Sequence, residues 1–410
     1  MRIHDTRLAR IRPFVGPRGL KSGDFSYGVE CNRDGCTTQE SKMPEKLKVA
    51  IVGAAGRGGG FFKTFNICPH TTVHALCDID QEKLDKRAKE LGIALAFTDY
   101  EQMLDRAKPD IVVIGTPMPF HAPQAIAALE RNVSVLSEVP AAVSIEQCYE
   151  LVKAARKSKA RYMMAENYCY MRPNVLVREL VRAGLFGEPY FGEGEYIHEL
   201  KGLNEITKWR RRWQTGINGC TYPTHSLGPH IQWFEQRVVA VSCFGSGHHY
   251  RDPRGNLYEN EDTTTMACRM EKGGLVQVRL DMLSDRPHNL TYYSLQGTDG
   301  CYEAPRGLGD EPKIWLRAVH GKDMKWRPLR ELEEKHLPKH WLNPPEEAVK
   351  AGHGGGDYWE VMDFASAIIE GRDPPIDLHR ALDMTLPGLV SQQSILEGGR
   401  WLAVPDSRTW

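Results

Sequence analysis

Tyr222 and His225 are two residue types that can move protons, and they stand three residues apart. An imidazole takes or gives a proton near neutral pH, because its ordinary pKa is about 6.5. A phenol beside it can take part in a second proton step or hold the imidazole in one orientation. The alternative for Tyr222 is packing, since aromatic rings often fill the wall of a cleft. The pair predicts general acid–base chemistry with His225 as the base.

Metal binding is a competing use of these side chains, because His198 and Glu199 could join His225 as ligands. His198 and Glu199 are neighbours in a strand-like run, so their side chains should point to opposite faces of a sheet. Cys31 and Cys36 have a spacing unlike that of a zinc knuckle, and no second pair follows them. We therefore expect no metal centre.

A glycine-rich turn early in the chain has the residue types that hold a pyrophosphate. A short apolar run, 48–52, stops at Gly53, and a segment of helical character follows. Glycines permit a tight turn, and the start of a helix offers free N–H groups. The match to G-x-G-x-x-G is imperfect, because Gly53 and Gly58 fit the outer positions but Ala55 occupies the middle one. Asp78 ends the next strand-like run, where a carboxylate accepts hydrogen bonds from the ribose of NAD and repels a 2′-phosphate.

Strand-like and helix-like segments alternate around this turn. Such alternation predicts an α/β domain with a doubly wound parallel sheet, the Rossmann arrangement, over residues 46–169. Ser144 with Gln147 predicts a capping box at the start of one of the helices. The predicted strands are 48–53, 72–78, 111–115, 134–138 and 162–166, and the predicted helices lie near 59–66, 80–91, 121–131 and 144–157.

The pattern changes after Tyr170, where longer strand-like runs dominate. This predicts a C-terminal α+β domain, 170–410, with a large and mostly antiparallel sheet. One broad face of such a sheet needs covering, so we expect a homo-oligomer, a dimer or tetramer. Residues 1–45 show little periodicity and are interpreted as an N-terminal extension. The predicted strands are 189–198, 238–244, 263–270, 274–283 and 290–297, and the predicted helices are 174–183, 357–370 and 378–398.

The charge balance argues against nucleic acid or an anionic membrane as a partner, because 53 Lys and Arg offset 53 Asp and Glu. The aromatic and basic run 208–213 is therefore interpreted as a sugar-stacking or interface loop. Ten scattered cysteines indicate reduced thiols. With no apolar run long enough for a bilayer and no secretory signal, we expect a cytoplasmic protein.

Four motifs in order resemble the Gfo/Idh/MocA family of NAD(P)-dependent sugar oxidoreductases. The resemblance runs from about residue 46 to 407, and the set is specific although each member alone is weak. The motifs are the glycine turn with Asp78, Thr116-Pro117 with His121, Glu138-Val139-Pro140, and His353-Gly354-Gly355-Gly356-Asp357-Tyr358.

Two departures from that family are informative. Its dehydrogenases typically have Lys where this chain has Val139, and Asp where it has Thr221. With these departures the sequence is similar to the NAD-dependent glycoside hydrolase branch, glycosidase family 109, whose best-known members are α-N-acetylgalactosaminidases. The blocks that carry this likeness are 138–142, 166–170, 196–198 and 222–225.

The resemblance implies NAD as cofactor and a sugar or glycoside as substrate. His225 would remove the proton of a sugar 3-OH while hydride leaves C3. The ketone acidifies the C2 hydrogen, a base removes it, the C1 substituent is eliminated, water adds, and the hydride returns to C3. Tyr222 is the candidate for the C2 step or for orienting the imidazole, and Tyr170 would line the sugar pocket. Glu138 would hold the nicotinamide ribose or a sugar hydroxyl.

Ten residues are expected to bind or adjoin the cofactor. Among them, His121 is expected at the N-terminus of a helix near the cofactor rather than as a catalyst. The full set is Gly53, Ala55, Gly56, Arg57, Gly58, Asp78, Thr116, His121, Glu138 and Asn167.

Three functions compete at this point. The first is a glycoside hydrolase that recycles its NAD, the second a net NAD-dependent dehydrogenase of a sugar, glycoside or inositol, and the third an idle NAD-binding protein. Val139 in place of Lys favours the first over the second. The Tyr222/His225 pair weakly disfavours the third.

Overall fold

The first apolar runs of the chain form a parallel sheet in the computed structural model, which describes residues 46–287 and 291–410. The predicted extension 1–45, with Cys31 and Cys36, lies outside these residues. The strands are β1 (Leu47–Val52), β2 (Thr71–Cys77), β3 (Leu95–Phe97), β4 (Ile111–Ile114), β5 (Ser134–Ser137) and β6 (Tyr162–Met164). Their order is β3-β2-β1-β4-β5-β6. After β3 the chain crosses to the other side of β1 to add β4, and this switch point places a ligand crevice at the carboxyl ends of β1 and β4.

The helices between these strands begin at side-chain caps where the sequence supplies them. Asp80 accepts a hydrogen bond from the Lys83 backbone N–H. The predicted capping by Ser144 is confirmed, because its hydroxyl accepts from the Gln147 N–H at 3.2 Å. The Gln147 side chain accepts from the Val143 N–H, one residue before the position that a standard capping box uses. These helices are α1 (Phe62–Ile67), α2 (Gln81–Leu91), α3 (Tyr100–Ala107), α4 (His121–Glu130) and α5 (Ile145–Lys157).

A second, mixed sheet follows, and its adjacent strands are antiparallel except for one parallel pair, β7 with β10. The predicted fold class is therefore confirmed. The strands are β7 (Pro189–Ile197), β8 (Val238–Gly245), β9 (Thr263–Met270), β10 (Leu275–Asp281), β11 (Thr291–Gly297), β12 (Gly300–Glu303), β13 (Lys313–Leu316), β14 (Arg327–Pro328) and β15 (Leu402–Ala403). Their order is β14-β13-β12-β11-β7-β10-β9-β8-β15.

The helices of this part of the chain are α6 (Arg172–Arg182), α7 (Lys201–Ile206), α8 (Lys208–Trp213), α9 (Thr224–Phe234), α10 (Arg317–His320), α11 (Glu333–His336), α12 (Lys339–Leu342), α13 (Glu346–Lys350), α14 (Gly356–Glu370) and α15 (Leu378–Leu396). Of these, α9 packs on β7, β10 and β11, while α15 packs on β8 and β15 and also against α5 and β6.

Helix α9 carries His225 and depends on two contacts outside itself. Pro229 lies inside the helix and has no N–H to donate to the His225 carbonyl. The hydroxyl of Tyr293 donates to that carbonyl instead, at 2.6 Å. The helix lies directly on β7, since a Cβ on Gly194 would stand 2.0 Å from the Ser226 carbonyl oxygen. Strand β7 and β11 thus fix the height and orientation of His225.

Candidate active site

Four functional segments meet at one edge of the parallel sheet. The glycine turn follows β1, Thr116 follows β4, Glu138 follows β5 and Glu166 follows β6. Parallel strands bring their carboxyl ends to the same edge, so these segments are neighbours although they are far apart in sequence. The edge is therefore where a cofactor and a substrate can meet.

The glycine turn fits a pyrophosphate. Ala55 and Gly56 are exposed, and the short 3₁₀ helix that begins at Arg57 has no side-chain cap, so its first N–H groups are available to an anion. A Cβ on Gly58 would lie 2.5 Å from the Val52 carbonyl oxygen, so the turn can close against β1 only with glycine there. Asp78 supports the turn by accepting the Ala55 N–H at 2.9 Å.

His121 supports the crevice from behind. Its Nδ1 lies 2.9 Å from the Pro140 carbonyl and its Nε2 lies 2.8 Å from the Thr116 carbonyl. The side chain is buried, and burial lowers its pKa. Both carbonyls only accept, so the neutral ring donates to one of them and the protonated ring to both. In either form His121 lies between the loops after β4 and β5 and positions them. The hydroxyl of Thr116 donates to Gln124 at 2.6 Å.

Arg57 joins the glycine turn to the start of α14. We call Arg57 together with Glu138 and Asp357 the carboxylate clasp. The Arg57 Nε donates to Glu138 at 2.6 Å, and its two Nη atoms donate to the two oxygens of Asp357 at 3.0 Å each. Asn167 Nδ2 donates to Asp357 at 2.9 Å, and His353 Nδ1 lies 3.0 Å from the same carboxylate. Burial opposes ionisation of Asp357, but the hydrogen bonds from His353 and Arg57 hold its pKa well below the usual range.

His225 is oriented by a buried carboxylate. Its Nδ1 lies 2.7 Å from Glu166 Oε1, and Glu166 is fully buried. A carboxylate accepts here, so Nδ1 carries a proton, and in the neutral imidazole Nε2 then has a lone pair. This is the geometry of a general base held in one tautomer by a third group.

Three tyrosines surround the His225 ring. The ring of Tyr168 lies 4.2 Å from it, that of Tyr196 4.8 Å and that of Tyr222 5.2 Å, centroid to centroid. Burial raises the pKa of all three phenols. At neutral pH they are therefore protonated and are possible donors to sugar oxygens, although the Tyr196 hydroxyl also lies 3.0 Å from His198 Nδ1.

Arg210 adds a positive charge to this aromatic group. It lies in α8, inside the aromatic and basic run, and its guanidinium acts electrostatically on Tyr196 and Tyr222. Its Nη1 donates to Gln214 at 2.8 Å, while its buried Nε makes no hydrogen bond with any described residue. A substrate oxygen could use that donor.

The structure brings most of the predicted site residues to this edge but places Tyr170 elsewhere. Tyr168 faces His225, whereas Tyr170, two residues later in the same 3₁₀ turn, lines a separate cavity beside Asp363 and Arg178. Sequence reasoning missed Glu166 as the partner of His225. The signal for it was available, because Glu166 follows β6 just as Glu138 follows β5.

Neither a metal cluster nor a membrane-spanning helix is found in the described ranges, 46–287 and 291–410. They contain no cluster of three or more His, Cys, Asp or Glu side chains arranged to hold a metal ion. Within the same ranges, no helix has the length and apolar character that crossing a membrane requires. The eight cysteines in this part of the chain are free thiols, and all but Cys301 are buried.

Comparison with known proteins identifies both halves of the chain. Residues 47–166 match the model described as "Oxidoreductase family, NAD-binding Rossmann fold". Residues 170–409, more than half of the chain, match "Glycosyl hydrolase 109, C-terminal domain". The chain belongs to glycosyl hydrolase family 109. Its cofactor is NAD, for which the glycine turn and Asp78 have the required groups.

Curated family 109 relatives extend over most of the chain. A glycosyl hydrolase family 109 protein of Shewanella pealeana is 30% identical over 400 residues, covering 88% of this chain and 85% of that protein. One of Saccharopolyspora erythraea is 29% identical over 393 residues, covering 88% and 83%. The chain is thus an enzyme of the family 109 or Gfo/Idh/MocA type.

Solved structures share the fold of this family 109 chain. An oxidoreductase domain protein of Kribbella flavida superposes with a TM-score of 0.77 at 21% identity, covering 88% of this chain and 99% of that one. Levoglucosan dehydrogenase in complex with NADH and levoglucosan gives 0.71 at 20% identity, covering 88% and 100%. The two-sheet architecture is therefore that of known NAD-binding oxidoreductases.

Proposed function

We propose that this protein hydrolyses glycosides with an NAD that stays bound and is returned to its starting state in each turnover. The observation that carries the proposal is the His225–Glu166 pair, enclosed by three protonated tyrosines beside the crevice of the NAD-binding sheet. Family membership supports a glycosidic substrate, and the base in this position supports chemistry at a sugar carbinol.

Bound NAD would supply the hydride acceptor for sugar C3 and the donor for its return. The Nε2 of His225 takes the proton of the 3-hydroxyl, and Glu166 stabilises the imidazolium that forms. The phenol of Tyr168 is a donor suited to the C3 oxygen. The phenol of Tyr196 is suited to the departing C1 oxygen when His198 Nδ1, 3.0 Å away, donates to it. Arg210 and its Nε are suited to a further oxygen of the substrate.

Val139 favours recycling over net oxidation. Its side chain is 3% exposed and belongs to the apolar core, so this position offers no ammonium to the reacting carbinol. The Gfo/Idh/MocA dehydrogenases that this sequence resembles have a lysine there. A net dehydrogenase would need another cation at that place, and Arg57 beside it is already bound by Glu138 and Asp357.

A substrate panel tests the proposal. The purified protein, with no added cofactor, is incubated with aryl and natural glycosides while free aglycone and NADH absorbance are followed together. We expect aglycone release over many turnovers with no accumulation of NADH. Stoichiometric NADH with the glycosidic bond intact would instead establish a net dehydrogenase, and no reaction with bound NAD would support an idle binding protein.

The two roles open to Tyr222 give different results in Tyr222→Phe. Burial raises the pKa of this phenol, so a phenolate base is costly and the imidazole-orienting role is favoured. We expect Tyr222→Phe to retain exchange of the C2 hydrogen with solvent deuterium and to lose less than about tenfold in turnover. Loss of C2 exchange alone would make Tyr222 the C2 base.

Gly194→Ala tests whether β7 positions His225. The added methyl would stand 2.0 Å from the Ser226 carbonyl, so α9 must move away from the sheet. We expect a loss of about 1–3 kcal/mol in unfolding free energy and a fall in turnover. Gly202→Ala is the control, because a Cβ added there meets no atom within 4 Å. This variant should lower neither the unfolding free energy nor turnover. Equal behaviour of the two variants would contradict the assignment.

We also propose that the chain divides into two domains near residue 169. The second domain has an open sheet face, through which we propose that the chain forms a homo-oligomer. Along β9, buried residues alternate with more accessible ones, so only one face is covered by helices. Light scattering on the eluting protein tests the assembly: a dimer or tetramer is expected, and a monomer at micromolar concentration would refute it.

A further inference from the structure

A second cavity, of about 450 Å³, lies behind the active site. Helices α9 and α14 run from one to the other: α9 carries His225 at the active site and Gln232 at the cavity, and α14 carries Asp357 and Asp363 in the same way. Seven residues of helix separate the two positions on α9, a rise of about 10 Å. The cavity is large enough for a small ligand and shares no lining residue with the His225 cluster.

Four arginines belong to the polar lining of this cavity. Two of them are largely paired: Arg178 donates to Gln232 at 3.1 Å and to Glu179 at 2.9 Å, and Arg182 donates to Glu235 at 3.2 Å and to Glu179 at 3.3 Å. Arg372 also lines the cavity, and its Nε donates to Glu370 at 2.5 Å, whereas the guanidinium of Arg380 forms no hydrogen bond or ion pair with any described residue. Each guanidinium offers five N–H donors, so several remain free for an acceptor.

Asp383 interacts electrostatically with Arg380, but its carboxylate is held by Arg408 in an ion pair at 2.8 Å and does not pair directly with Arg380. Asp373 is paired at 3.0 Å with Arg161, which is not a lining residue. Burial raises the pKa of Asp363, which disfavours its charged form. A bound oxyanion would give the Arg380 guanidinium the direct hydrogen-bond partner that it lacks among the described residues.

The opposite wall is aromatic. The rings of Trp341 and Trp359 lie 4.9 Å apart at 31°, and His340 lies 4.9 Å from Trp359. Indole faces pack against the C–H face of a sugar ring and against other flat rings. The buried hydroxyl of Tyr170 lies near Asp363 but makes no hydrogen bond of good geometry with a described residue, so it too has capacity for a ligand.

From these features we propose that the cavity binds a small sugar carrying an oxyanion, a carboxylate or a phosphate. Arg380 and Arg372 hold the anion, and the Trp359 wall holds the ring. The proposal stands apart from the catalytic function, because none of its residues makes a hydrogen bond or ring contact with His225, Glu166 or the three tyrosines around His225.

Calorimetric titration of the full-length protein tests it with glucuronate, glucose 6-phosphate, inorganic phosphate and glucose. We expect one or both charged sugars to bind, and glucose to bind at least tenfold more weakly. Comparison of glucuronate with glucose 6-phosphate distinguishes a carboxylate ligand from a phosphate ligand. Arg380→Gln should weaken the charged sugar about tenfold or more, and Arg372→Gln should act in the same direction. Arg400→Gln, an exposed arginine paired with Glu397, is the matched control and should bind as the parent does.

Three outcomes would overturn the proposal. They are no binding of either charged sugar, unchanged binding in Arg380→Gln, and binding of inorganic phosphate as tight as that of glucose 6-phosphate. Loss of the same binding in His225→Ala would place the ligand in the active site and also refute it. Because these readouts measure affinity, they are independent of whether the protein proves to be a glycosidase.

Discussion

Replacing His225 by alanine should abolish glycoside turnover while leaving NAD bound. A positioned general base contributes about 10²–10⁴-fold to rate, and the imidazole is the group with a lone pair next to the crevice. The cofactor should stay because the residues that fit it belong to the glycine turn and the loops after β2, β4 and β5. Turnover is measured on a glycoside, and bound NAD by its release after denaturation.

Glu166→Gln is the companion variant for this prediction. An amide in place of the carboxylate no longer fixes the Nδ1–H tautomer of His225, so turnover should fall by about a hundredfold or more with the fold intact. Full activity in either variant would show that another group is the base. Loss of NAD from His225→Ala would show that the residue serves the cofactor rather than the proton.

Breaking the carboxylate clasp should have the largest effect on stability. Asp357→Asn leaves Arg57 with Glu138 alone and removes a carboxylate whose pKa is held low in the folded protein. Removing one partner of a largely buried pair costs about 3 kcal/mol, and the one-third exposure of Arg57 makes this an upper figure. Denaturant unfolding at pH 7 measures it, and NAD should also be retained less well.

The stability lost in Asp357→Asn should depend on pH in one direction. A carboxylate whose pKa is lower in the folded state stabilises the fold above its unfolded pKa of about 3.9, and this contribution is lost as pH falls further. The difference between parent and Asp357→Asn should therefore be full at pH 7 and shrink below about pH 4. Asp105→Asn, from an exposed pair with Arg131, should cost less than about 1 kcal/mol. A difference that does not depend on pH would contradict the account.

The parallel sheet could be predicted from sequence because its signals are local. Apolar runs with β-branched residues form strands, and Asp80 and Ser144 stand where the helices begin. The short strand β3 escaped prediction, since its three residues are only partly buried.

The helix that carries His225 could not be predicted in the same way. Gly228 and Pro229 argue against a helix at this place, and only contacts from distant strands allow it. Tyr293 satisfies the free carbonyl, and Gly194 gives the helix room. Tertiary structure overrides the local signal here.

The candidate site was predicted in its residue types but not in its pairings. Arg57 was expected at the cofactor, yet its side chain is held by Asp357, 300 residues later in the chain. Tyr168 and Tyr170 are chemically alike, and only the turn that they share decides which of them faces His225. Neither fact can be obtained from composition or spacing.

The most direct test of the central claim is the fate of the C2 hydrogen. A glycoside is hydrolysed in deuterated water by the protein without added cofactor, and the released sugar is examined by NMR while NADH is followed by absorbance. The account predicts deuterium at C2 of the product, retention of the original hydrogen at C3 and no net NADH. Product sugar with its C2 hydrogen unexchanged would contradict it, because direct hydrolysis at C1 leaves C2 untouched.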